Sequence, residues 1–458
     1  MGRPLSKAKP MLRPDRIEQA RAEAFGPAAP LRGSVRVPGD KSISHRALML
    51  SAMASGTSRI EGLLEGSDVL ATAAALRAMG AGIERGSDGA WVVDGVGTGS
   101  LLQPESALDM GNSGTSARLL MGLLASHPIS ATITGDASLS RRPMERVMGP
   151  LRRIGAEFSA SPGGRLPLTM RGISPAAPLE HRMTVASAQV KSAILLAGLN
   201  IAGVTRVFEP VPTRDHSERM LKRFGADLRV EQEAGGEWIS IRGEAELRAQ
   251  NVRVPADPSS AAFLAVAALV VPGSELRIKG VGMNPRRTGL FTLLRAMGAD
   301  IDFADARDQD GEPVADLVVR HSALKGVEVP PELIPSMIDE FPIFFVAAAF
   351  ADGETRAEGL GELRVKESDR IAVMAEGLRA IGGRIEEHGD GVTIRGSGGE
   401  PLAGGAGIAS HLDHRIAMSF AVAGLNCREA VEVDDMEPVS TSFPGFAELL
   451  LSLQEGGR

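Results

Sequence analysis

The sequence contains little cysteine and few aromatic residues. Among its 458 residues are one cysteine, two tryptophans and no tyrosine, and aromatic residues make up 3%. The single cysteine, Cys427, excludes an internal disulfide framework and is typical of a reducing compartment, so we expect a cytoplasmic location. So few aromatics argue against a stacking surface for single-stranded nucleic acid. The composition therefore favours neither a disulfide-rich secreted protein nor a nucleic-acid-binding protein.

Excess positive charge and long apolar runs are also missing. The formal net charge of −7 gives no electrostatic footprint for DNA or for a membrane surface. No apolar run reaches the roughly 18 residues that span a bilayer, and the longest candidate, 261–271, is better explained as a buried helix. Residues 1–29 are basic but have no apolar signal core, so we expect a disordered tail and no membrane partner.

A polar start followed by an Ala/Leu-rich stretch occurs six times along the chain. Successive copies are 71 to 77 residues apart. They begin at Lys41, Asn112, Ser187, Ser259, Ser336 and Ser410. Each copy is apolar almost all round after its polar start, as a helix buried on every side should be.

A second, amphipathic helix pattern closes most of the repeats. It has the form Leu-x-x-apolar-Gly, which is typical of a helix that ends at a C-cap glycine, and alternating strand-like residues follow it. The glycines are Gly80, Gly155, Gly225, Gly298 and Gly382, and "LLLSLQEGG" at the C-terminus is a degenerate sixth copy. Each unit is therefore predicted as strand, buried helix, strand, amphipathic helix, strand, strand.

A larger duplication groups these units into two halves. The segment "VRVPGDKS" at 35–42 returns as "VRVPADPS" at 252–259, 217 residues later, which is close to three units. We therefore predict an α/β protein with two similar domains of three units each. One domain comprises 41–257 and the other is discontinuous, comprising 30–40 plus 258–458. The six polar helix starts would then face a cleft between them.

The predicted cleft is rich in positive charge. Free N–H groups and dipoles at helix N-termini attract anions, and Arg and Lys side chains are frequent near these starts and in the neighbouring loops. The cations are Lys41, Arg46, Arg118, Arg141, Arg142, Arg214, Arg364, Lys366, Arg370 and Arg415. Asp339 is a carboxylate at a helix start, either a plain capping residue or a base beside a cationic site. Taken together, the pattern favours an anion-binding cleft.

Several motifs in order give the chain a family resemblance from about residue 30 onward. They are "PGDKSISHR", "GNSGTSAR", "GDASLSRRPM", "SAQVKSA", "LRVKESDR", "HLDHRIAMS" and "TSFPGF". The chain resembles the 5-enolpyruvylshikimate-3-phosphate (EPSP) synthases, and "SAQVKSA", "TRDHSE" and "SMIDEFP" are closer to the class II branch. The resemblance implies two inside-out, barrel-like α/β domains, each of three βαβαββ units, joined by a two-strand hinge.

The resemblance also implies a reaction: phosphoenolpyruvate and shikimate 3-phosphate give 5-enolpyruvylshikimate 3-phosphate and inorganic phosphate, in aromatic amino-acid biosynthesis. The implied shikimate 3-phosphate contacts are Lys41, Ser42, Arg46, Ser187, Ala188, Gln189, Arg214, Asp339 and Lys366. The implied phosphoenolpyruvate contacts are Lys41, Asn112, Gly114, Arg142, Gln189, Glu367, Arg370 and Arg415. Asp339 is the expected base for the 5-hydroxyl, and Glu367 and Lys41 are candidates for protonating C3. No cofactor or metal is implied, and we expect a monomer.

Two positions depart from the family pattern. Thr441 stands where many relatives have a lysine that contacts phosphoenolpyruvate, and Glu362 stands where some have asparagine, so neither is assigned a role. Relatives of the class II branch that tolerate the herbicide glyphosate have alanine at the position of Gly114. Because this chain keeps the glycine, we predict that it is glyphosate-sensitive.

Two alternatives are a related enzyme with the same fold and a protein of a different functional class. UDP-N-acetylglucosamine enolpyruvyl transferase shares the implied fold, but it usually has a catalytic cysteine in the loop corresponding to "GDASLSRRP" and a Lys-Asn pair where this chain has Lys41 and Ser42. A non-catalytic repeat scaffold could also use basic helix ends. The acids Asp339 and Glu367 within cationic motifs argue against the scaffold.

Overall fold

The computed structural model describes residues 22–455. The helices are α1 (Lys41–Met53), α2 (Ser67–Ala78), α3 (Gly114–Ala125), α4 (Glu145–Arg153), α5 (Ala188–Gly198), α6 (His216–Arg223), α7 (Pro258–Val270), α8 (Gly289–Ala296), α9 (Ile334–Met337), α10 (Phe341–Phe350), α11 (Arg370–Ala380), α12 (His414–Gly424) and α13 (Phe446–Glu455). The strands are β1 (Glu23–Phe25), β2 (Arg32–Val35), β3 (Ser55–Glu61), β4 (Gly82–Arg85), β5 (Trp91–Val96), β6 (Leu108–Asp109), β7 (Ser130–Thr134), β8 (Glu157–Ser161), β9 (Arg165–Arg171), β10 (Glu180–Arg182), β11 (Val204–Glu209), β12 (Asp227–Glu233), β13 (Gly236–Arg242), β14 (Asn251–Arg253), β15 (Glu275–Gly282), β16 (Asp300–Gln309), β17 (Glu312–Arg320), β18 (Glu354–Ala357), β19 (Arg384–His388), β20 (Gly391–Arg395), β21 (Gly407–Ile408) and β22 (Val431–Val433).

The repeated units fold as small sheets with a common strand order. In the third unit, β10 pairs parallel with β11, which pairs antiparallel with β13, and β12 completes the sheet beside β13. Helices α5 and α6 connect these strands, so the chain order is strand, helix, strand, helix, strand, strand. The four-stranded sheets of the first, second and fourth units have the same arrangement. The repeated unit predicted from the sequence is therefore confirmed.

The two halves of the chain exchange one strand each. Strand β2 precedes α1 in sequence but pairs parallel with β15 of the second half, whereas β14 precedes α7 but pairs parallel with β3 of the first half. The two crossing segments lie side by side, because the Asp40 amide donates to the Pro255 carbonyl at 2.8 Å and the Asp257 amide to the Pro38 carbonyl at 2.9 Å. This pair of segments connects the two halves.

Buried apolar side chains form two separate clusters. One extends from Ile43 to Val254, and the other joins residues of the first strands to residues between Ala256 and Leu453. Helices α7 and α10 are buried along their whole length, which explains their nearly continuous apolar sequences. Each half therefore surrounds its central helices with amphipathic helices and sheets.

The expected disordered tail at residues 1–29 is wrong for residues 23–25. These residues form β1, which pairs antiparallel with β22, and Phe25 is only 4% exposed within the second core. Within residues 22–455, the sixth unit has α13 but no final strands of its own, so β1 takes that place from the other end of the chain. A three-residue strand is too short for its alternation to be recognised. The remainder of the predicted tail, residues 1–21, lies outside the described residues.

One helical segment of the described chain is long and apolar enough to cross a membrane by length and composition. It runs from Pro331 to Phe350, because short helical turns join α9 to α10. The sequence analysis considered only uninterrupted apolar runs, so it did not predict a helical segment of this length. The apolar window is 72% buried inside the fold, as for a core helix of a soluble protein, which passes the same test.

Candidate active site

The central helices point their N-termini at one cavity of about 400 Å³ between the two cores. All six predicted polar starts contribute residues to its wall. Most of these helices are capped by a side chain that accepts a hydrogen bond from the first turn, which explains the recurring polar residue. The capping residues are Asp40, Ser113, Ser187, Asp257 and Asp413, and Asp369 caps α11 in the same way.

Every substrate contact and catalytic residue implied by the family resemblance lines this cavity, whereas Arg141 and Arg364, which were expected among the cations of the cleft, do not. The set is Lys41, Ser42, Arg46, Asn112, Gly114, Arg142, Ser187, Ala188, Gln189, Arg214, Asp339, Lys366, Glu367, Arg370 and Arg415. The structure therefore brings together residues that are up to several hundred positions apart in sequence. Their individual roles in binding and catalysis remain predictions.

Asp339 lies at the centre of a group of cations from both halves of the chain. Its carboxylate is 2.5 Å from Arg214 Nη2, 3.1 Å from Lys366 Nζ and 3.5 Å from Arg370 Nη1. Arg415 donates to its main-chain carbonyl at 2.7 Å. Burial acts to raise the pKa of Asp339, but Lys366, Arg214, Arg415 and Arg370 together hold the pKa well below its ordinary value. The carboxylate is therefore ionised, and the group around it keeps an excess of positive charge.

Glu367 is a second partly buried carboxylate of the cavity, with a side chain that is 21% exposed. Its two oxygens lie 2.6 Å from Arg370 Nη2 and 3.4 Å from Arg142 Nη1. Burial acts to raise its pKa, but Arg370 and Arg142, with smaller contributions from His414 and Lys366, hold the pKa well below its ordinary value. Glu367 is therefore ionised in the absence of substrate, and it links an arginine of each half.

Lys41 and Arg46 are held at the start of α1 by different partners. Lys41 Nζ lies 2.6 Å from Asp68 Oδ2 at the first turn of α2. Arg46 Nε donates to Ser217 Oγ at 2.7 Å, and its Nη2 donates to Ser192 Oγ at 2.8 Å. Burial lowers the pKa of Arg46 to about 10, so it stays charged at neutral pH. Both cations are therefore oriented before any ligand binds.

Gln189 connects the starts of α5 and α3. Its Nε2 donates to Thr115 Oγ1 at 3.1 Å, and its Oε1 accepts from Arg118 Nη1 at 3.1 Å. Burial, together with the like charge of Arg142, lowers the pKa of Arg118 to about 10. The amide therefore fixes a further cation against the cavity wall.

The cavity also contains residues that the sequence did not assign to the site. The polar and charged ones are Asp68, Thr115, Arg118, Arg146, Thr213, Asp257, Ser259, Arg287, Glu362 and His414. Arg118 was recognised as a cation at a helix start, and Glu362 now pairs with Arg146 at 3.0 Å on the cavity rim. Asp68 had no motif to mark it, because its partner Lys41 comes from another helix. Only the packing of α1 on α2 reveals the pair.

Thr441 does not line the cavity. Its hydroxyl donates to the Pro438 carbonyl at 2.7 Å. Within residues 22–455, no group of three or more His, Cys, Asp or Glu side chains is arranged to hold a metal ion. The charged side chains of the cavity wall are therefore arginines, lysines and the carboxylates Asp68, Asp257, Asp339, Glu362 and Glu367.

Comparisons with known proteins agree with one another. A model of the EPSP synthase (3-phosphoshikimate 1-carboxyvinyltransferase) family matches residues 26–450. A relative from Sphingopyxis alaskensis named 3-phosphoshikimate 1-carboxyvinyltransferase is 65% identical over 443 residues, 96% of this chain and 99% of that protein. A relative of the same name from Zymomonas mobilis is 64% identical over 430 residues, 93% of this chain and 95% of that protein.

Solved structures extend the comparison to the fold. An EPSP synthase from Acinetobacter baumannii matches with a TM-score of 0.83 and 46% identity, covering 94% of this chain and 98% of that chain. The enolpyruvyl transferase NikO from Streptomyces tendae matches with a TM-score of 0.75 at 20% identity, which shows a common fold alone. Fold and cleft therefore define an enolpyruvyl transferase, which confirms the predicted fold class.

Within that class, the chain belongs to the EPSP synthase family. It is an enzyme, a carboxyvinyltransferase of the shikimate pathway, as the sequence motifs predicted. The matches favour this activity over the two alternatives, a UDP-N-acetylglucosamine enolpyruvyl transferase and a non-catalytic scaffold.

Proposed function

We propose that the chain transfers the enolpyruvyl group of phosphoenolpyruvate to the 5-hydroxyl of shikimate 3-phosphate and releases inorganic phosphate. The observation that carries this proposal is the ionised carboxylate of Asp339 among cations from both halves, 2.5 Å from Arg214 and 3.1 Å from Lys366. Both substrates have phosphate and carboxylate groups, which Arg binds with a planar fork and Lys as a point charge. The Asp339 carboxylate within this cationic site is suited to take the proton of the attacking 5-hydroxyl.

The proposed contacts divide between the two substrates. For shikimate 3-phosphate they are Lys41, Ser42, Arg46, Ser187, Ala188, Gln189, Arg214, Asp339 and Lys366. For phosphoenolpyruvate they are Lys41, Asn112, Gly114, Arg142, Gln189, Glu367, Arg370 and Arg415. The shared cavity supports both sets, and Lys41 and Gln189 belong to each, as expected for residues between two reactants.

Substrate binding would prepare Asp339 to accept a proton. In the free protein its cations hold the pKa well below the ordinary value, which makes the carboxylate a weak base. Phosphate and carboxylate groups that pair with Arg214 and Lys366 would neutralise part of this positive charge. The pKa of Asp339 would then rise toward the range in which a general base is effective.

The proposed reaction has two stages. In the first, O5 of shikimate 3-phosphate bonds to C2 of phosphoenolpyruvate while Asp339 takes the hydroxyl proton and C3 receives a proton from Lys41 or Glu367. Glu367 could donate only after taking up a proton, which phosphoenolpyruvate would favour by pairing with Arg370 and Arg142 and so raising the pKa of Glu367. In the second, the bond from C2 to the phosphate oxygen breaks, phosphate leaves, and C3 loses a proton so that the C2=C3 double bond forms again. Fixed Arg and Lys side chains stabilise the negative charge that develops, so no step needs a metal or a cofactor.

The two halves would act as domains, one of 41–257 and one of 30–40 plus 258–458. The two separate apolar cores and the paired crossing segments support these boundaries. One chain supplies every proposed contact, which supports a monomeric enzyme. The single cysteine supports the proposed cytoplasmic location.

Phosphate release from phosphoenolpyruvate tests the proposal directly. We expect release with shikimate 3-phosphate as acceptor and none with UDP-N-acetylglucosamine at the same concentration. Release with the nucleotide sugar alone would assign the chain to the other enolpyruvyl transfer reaction. Release with neither acceptor would contradict the proposed function altogether.

A further inference from the structure

An ionic cluster holds the turn that precedes Arg214 at the cavity wall. Its centre is Thr213, the residue that precedes Arg214. The Glu209 carboxylate at the end of β11 accepts a hydrogen bond from the Thr213 hydroxyl at 2.5 Å and from its main-chain N–H at 3.4 Å. Lys191 Nζ on α5 donates to the Thr213 carbonyl at 3.4 Å. The turn before Arg214 is thus held through both the side chain and the backbone of Thr213.

Lys191 makes this cluster rigid. Its side chain is fully buried and lies 2.7 Å from Glu209 and 2.6 Å from Glu218 of α6. Burial raises the pKa of Glu218, while Lys191 opposes that change. A buried lysine between two carboxylates cannot move without leaving a charge unpaired, which is strongly unfavourable. The first domain therefore fixes one side of the turn.

Arg286 of the second domain fixes the other side. It lies between β15 and α8, and its Nη1 donates to the Thr213 carbonyl at 3.0 Å. The same guanidinium makes two hydrogen bonds to Glu237, at 2.7 and 3.1 Å, and the Glu237 side chain is only 1% exposed. The adjacent Arg287 faces the cavity instead, where it donates to Ser259 Oγ at 2.9 Å. Of these two consecutive arginines, only Arg287 lines the cavity.

We propose that Arg286 is a positioning residue for shikimate 3-phosphate binding, acting across the domain boundary through Thr213 on Arg214. By holding the Thr213 carbonyl, Arg286 sets the direction in which the Arg214 side chain leaves the turn and reaches Asp339 at 2.5 Å. The inference rests on the proposed function, in which Arg214 binds shikimate 3-phosphate. The sequence did not single out Arg286, because its partners come from another domain.

A double-mutant cycle with Arg286→Gln, Arg214→Gln and the combined variant tests the inference. We expect Arg286→Gln to raise the KM for shikimate 3-phosphate about tenfold, the size of one lost charge-assisted hydrogen bond. The KM for phosphoenolpyruvate and kcat should change much less. Because Arg286 acts through Arg214, the combined variant should bind shikimate 3-phosphate no worse than Arg214→Gln alone.

Arg223→Gln is the matched control. Arg223 pairs across the same boundary with Asp310 at 3.0 Å, and its side chain is 25% exposed against 27% for Arg286. Its hydrogen bond goes to the main-chain carbonyl of Asn251, away from the turn at 209–214. We expect the control to leave the KM for shikimate 3-phosphate unchanged, alone and together with Arg214→Gln.

The possible outcomes distinguish a failure of positioning by Arg286 from a failure of the proposed role of Arg214. If Arg214→Gln raises the KM and Arg286→Gln does not, positioning by Arg286 is wrong while the role of Arg214 stands. Positioning is also wrong if the effects of Arg286→Gln and Arg214→Gln multiply. An unchanged KM in Arg214→Gln would overturn both the role of Arg214 and the inference. If Arg286→Gln fails to fold, Arg286→Lys is used instead. Lysine keeps a positive charge beside Glu237 but has one nitrogen in place of the planar guanidinium, so it cannot hold Glu237 and the Thr213 carbonyl in the same geometry. Its effects on KM are interpreted in the same way.

Discussion

Asp339 is ionised because the surrounding cations stabilise its negative charge. We expect Asp339→Asn to lower kcat about 10²- to 10⁴-fold, the usual effect of removing a general base, with little change in the KM for either substrate. Glu362→Gln is the control, because this carboxylate also faces the cavity but pairs with Arg146 on its rim. Steady-state turnover in both variants gives the comparison, and near-normal turnover in Asp339→Asn would reduce Asp339 to a structural partner of its cations.

Gly114 is the position at which we expect the enzyme to distinguish glyphosate from phosphoenolpyruvate. It is the first residue of α3, and its φ is not in the left-handed region, so the backbone does not require glycine there. A Cβ at this position would lie 2.6 Å from Arg118 Nη1 and 3.3 Å from Arg142 Nη1. Alanine would therefore displace the Arg118 guanidinium and narrow the proposed phosphoenolpyruvate site.

We accordingly propose that the wild-type enzyme is sensitive to glyphosate, which is longer than phosphoenolpyruvate. Gly114→Ala should raise the inhibition constant for glyphosate far more than the KM for phosphoenolpyruvate, because only the longer ligand meets the added methyl group. Inhibition assays at several phosphoenolpyruvate concentrations measure both constants. Equal weakening of the two ligands, or a wild-type enzyme that resists millimolar glyphosate, would contradict this steric explanation.

At the scale of elements, the short strand β1 completes the sixth repeat from the opposite end of the chain. Phe25 anchors it in the second core at 4% exposure. We expect Phe25→Ala to lower the free energy of unfolding by about 3–5 kcal/mol, as for other buried phenylalanines. Phe303→Ala is the control, because Phe303 lies on β16 in the same half but is 38% exposed. Urea unfolding curves give both values, and equal losses would mean that β1 contributes little to the core.

At the scale of the whole molecule, each half buries a histidine that burial keeps neutral. Burial, together with the charge of Lys41, lowers the pKa of His414 to about 3 and that of His45 well below its ordinary value. The unfolded chain binds protons near pH 6.5 and the folded chain does not, so stability falls as the pH drops from about 6.5 toward 3. Acidic groups with lowered pKa values contribute to this loss only below about pH 5.

Between pH 7 and pH 5 we therefore expect His45 and His414 each to lower the free energy of unfolding by about 2 kcal/mol. His414→Gln should remove its own share of this fall, whereas His321→Gln at an exposed position should leave the fall unchanged. Urea unfolding at the two pH values measures the difference. An identical pH dependence in His414→Gln and the wild type would show that His414 does not control acid stability.

The sequence by itself determined the repeated unit, the grouping of units into two halves and most of the cations of the cavity. Apolar periodicity, N-cap residues and C-cap glycines act within a few residues of one another, so they can be recognised along the chain. The family motifs are equally local, because each belongs to one helix start or loop. For the same reason every site residue expected from them was found at the cavity.

Only the tertiary structure decided which charges pair and which strands are exchanged. Arg214 and Asp339 are 125 residues apart, and Thr213 and Arg286 are 73 apart. Neither β1 nor Asp68 has a local pattern that reveals its partner, since β1 joins the last unit and Asp68 meets Lys41 from another helix. The physical reason is that an ion pair or a strand pairing depends on distance and burial in the folded chain, whereas a helix pattern depends on neighbours in sequence.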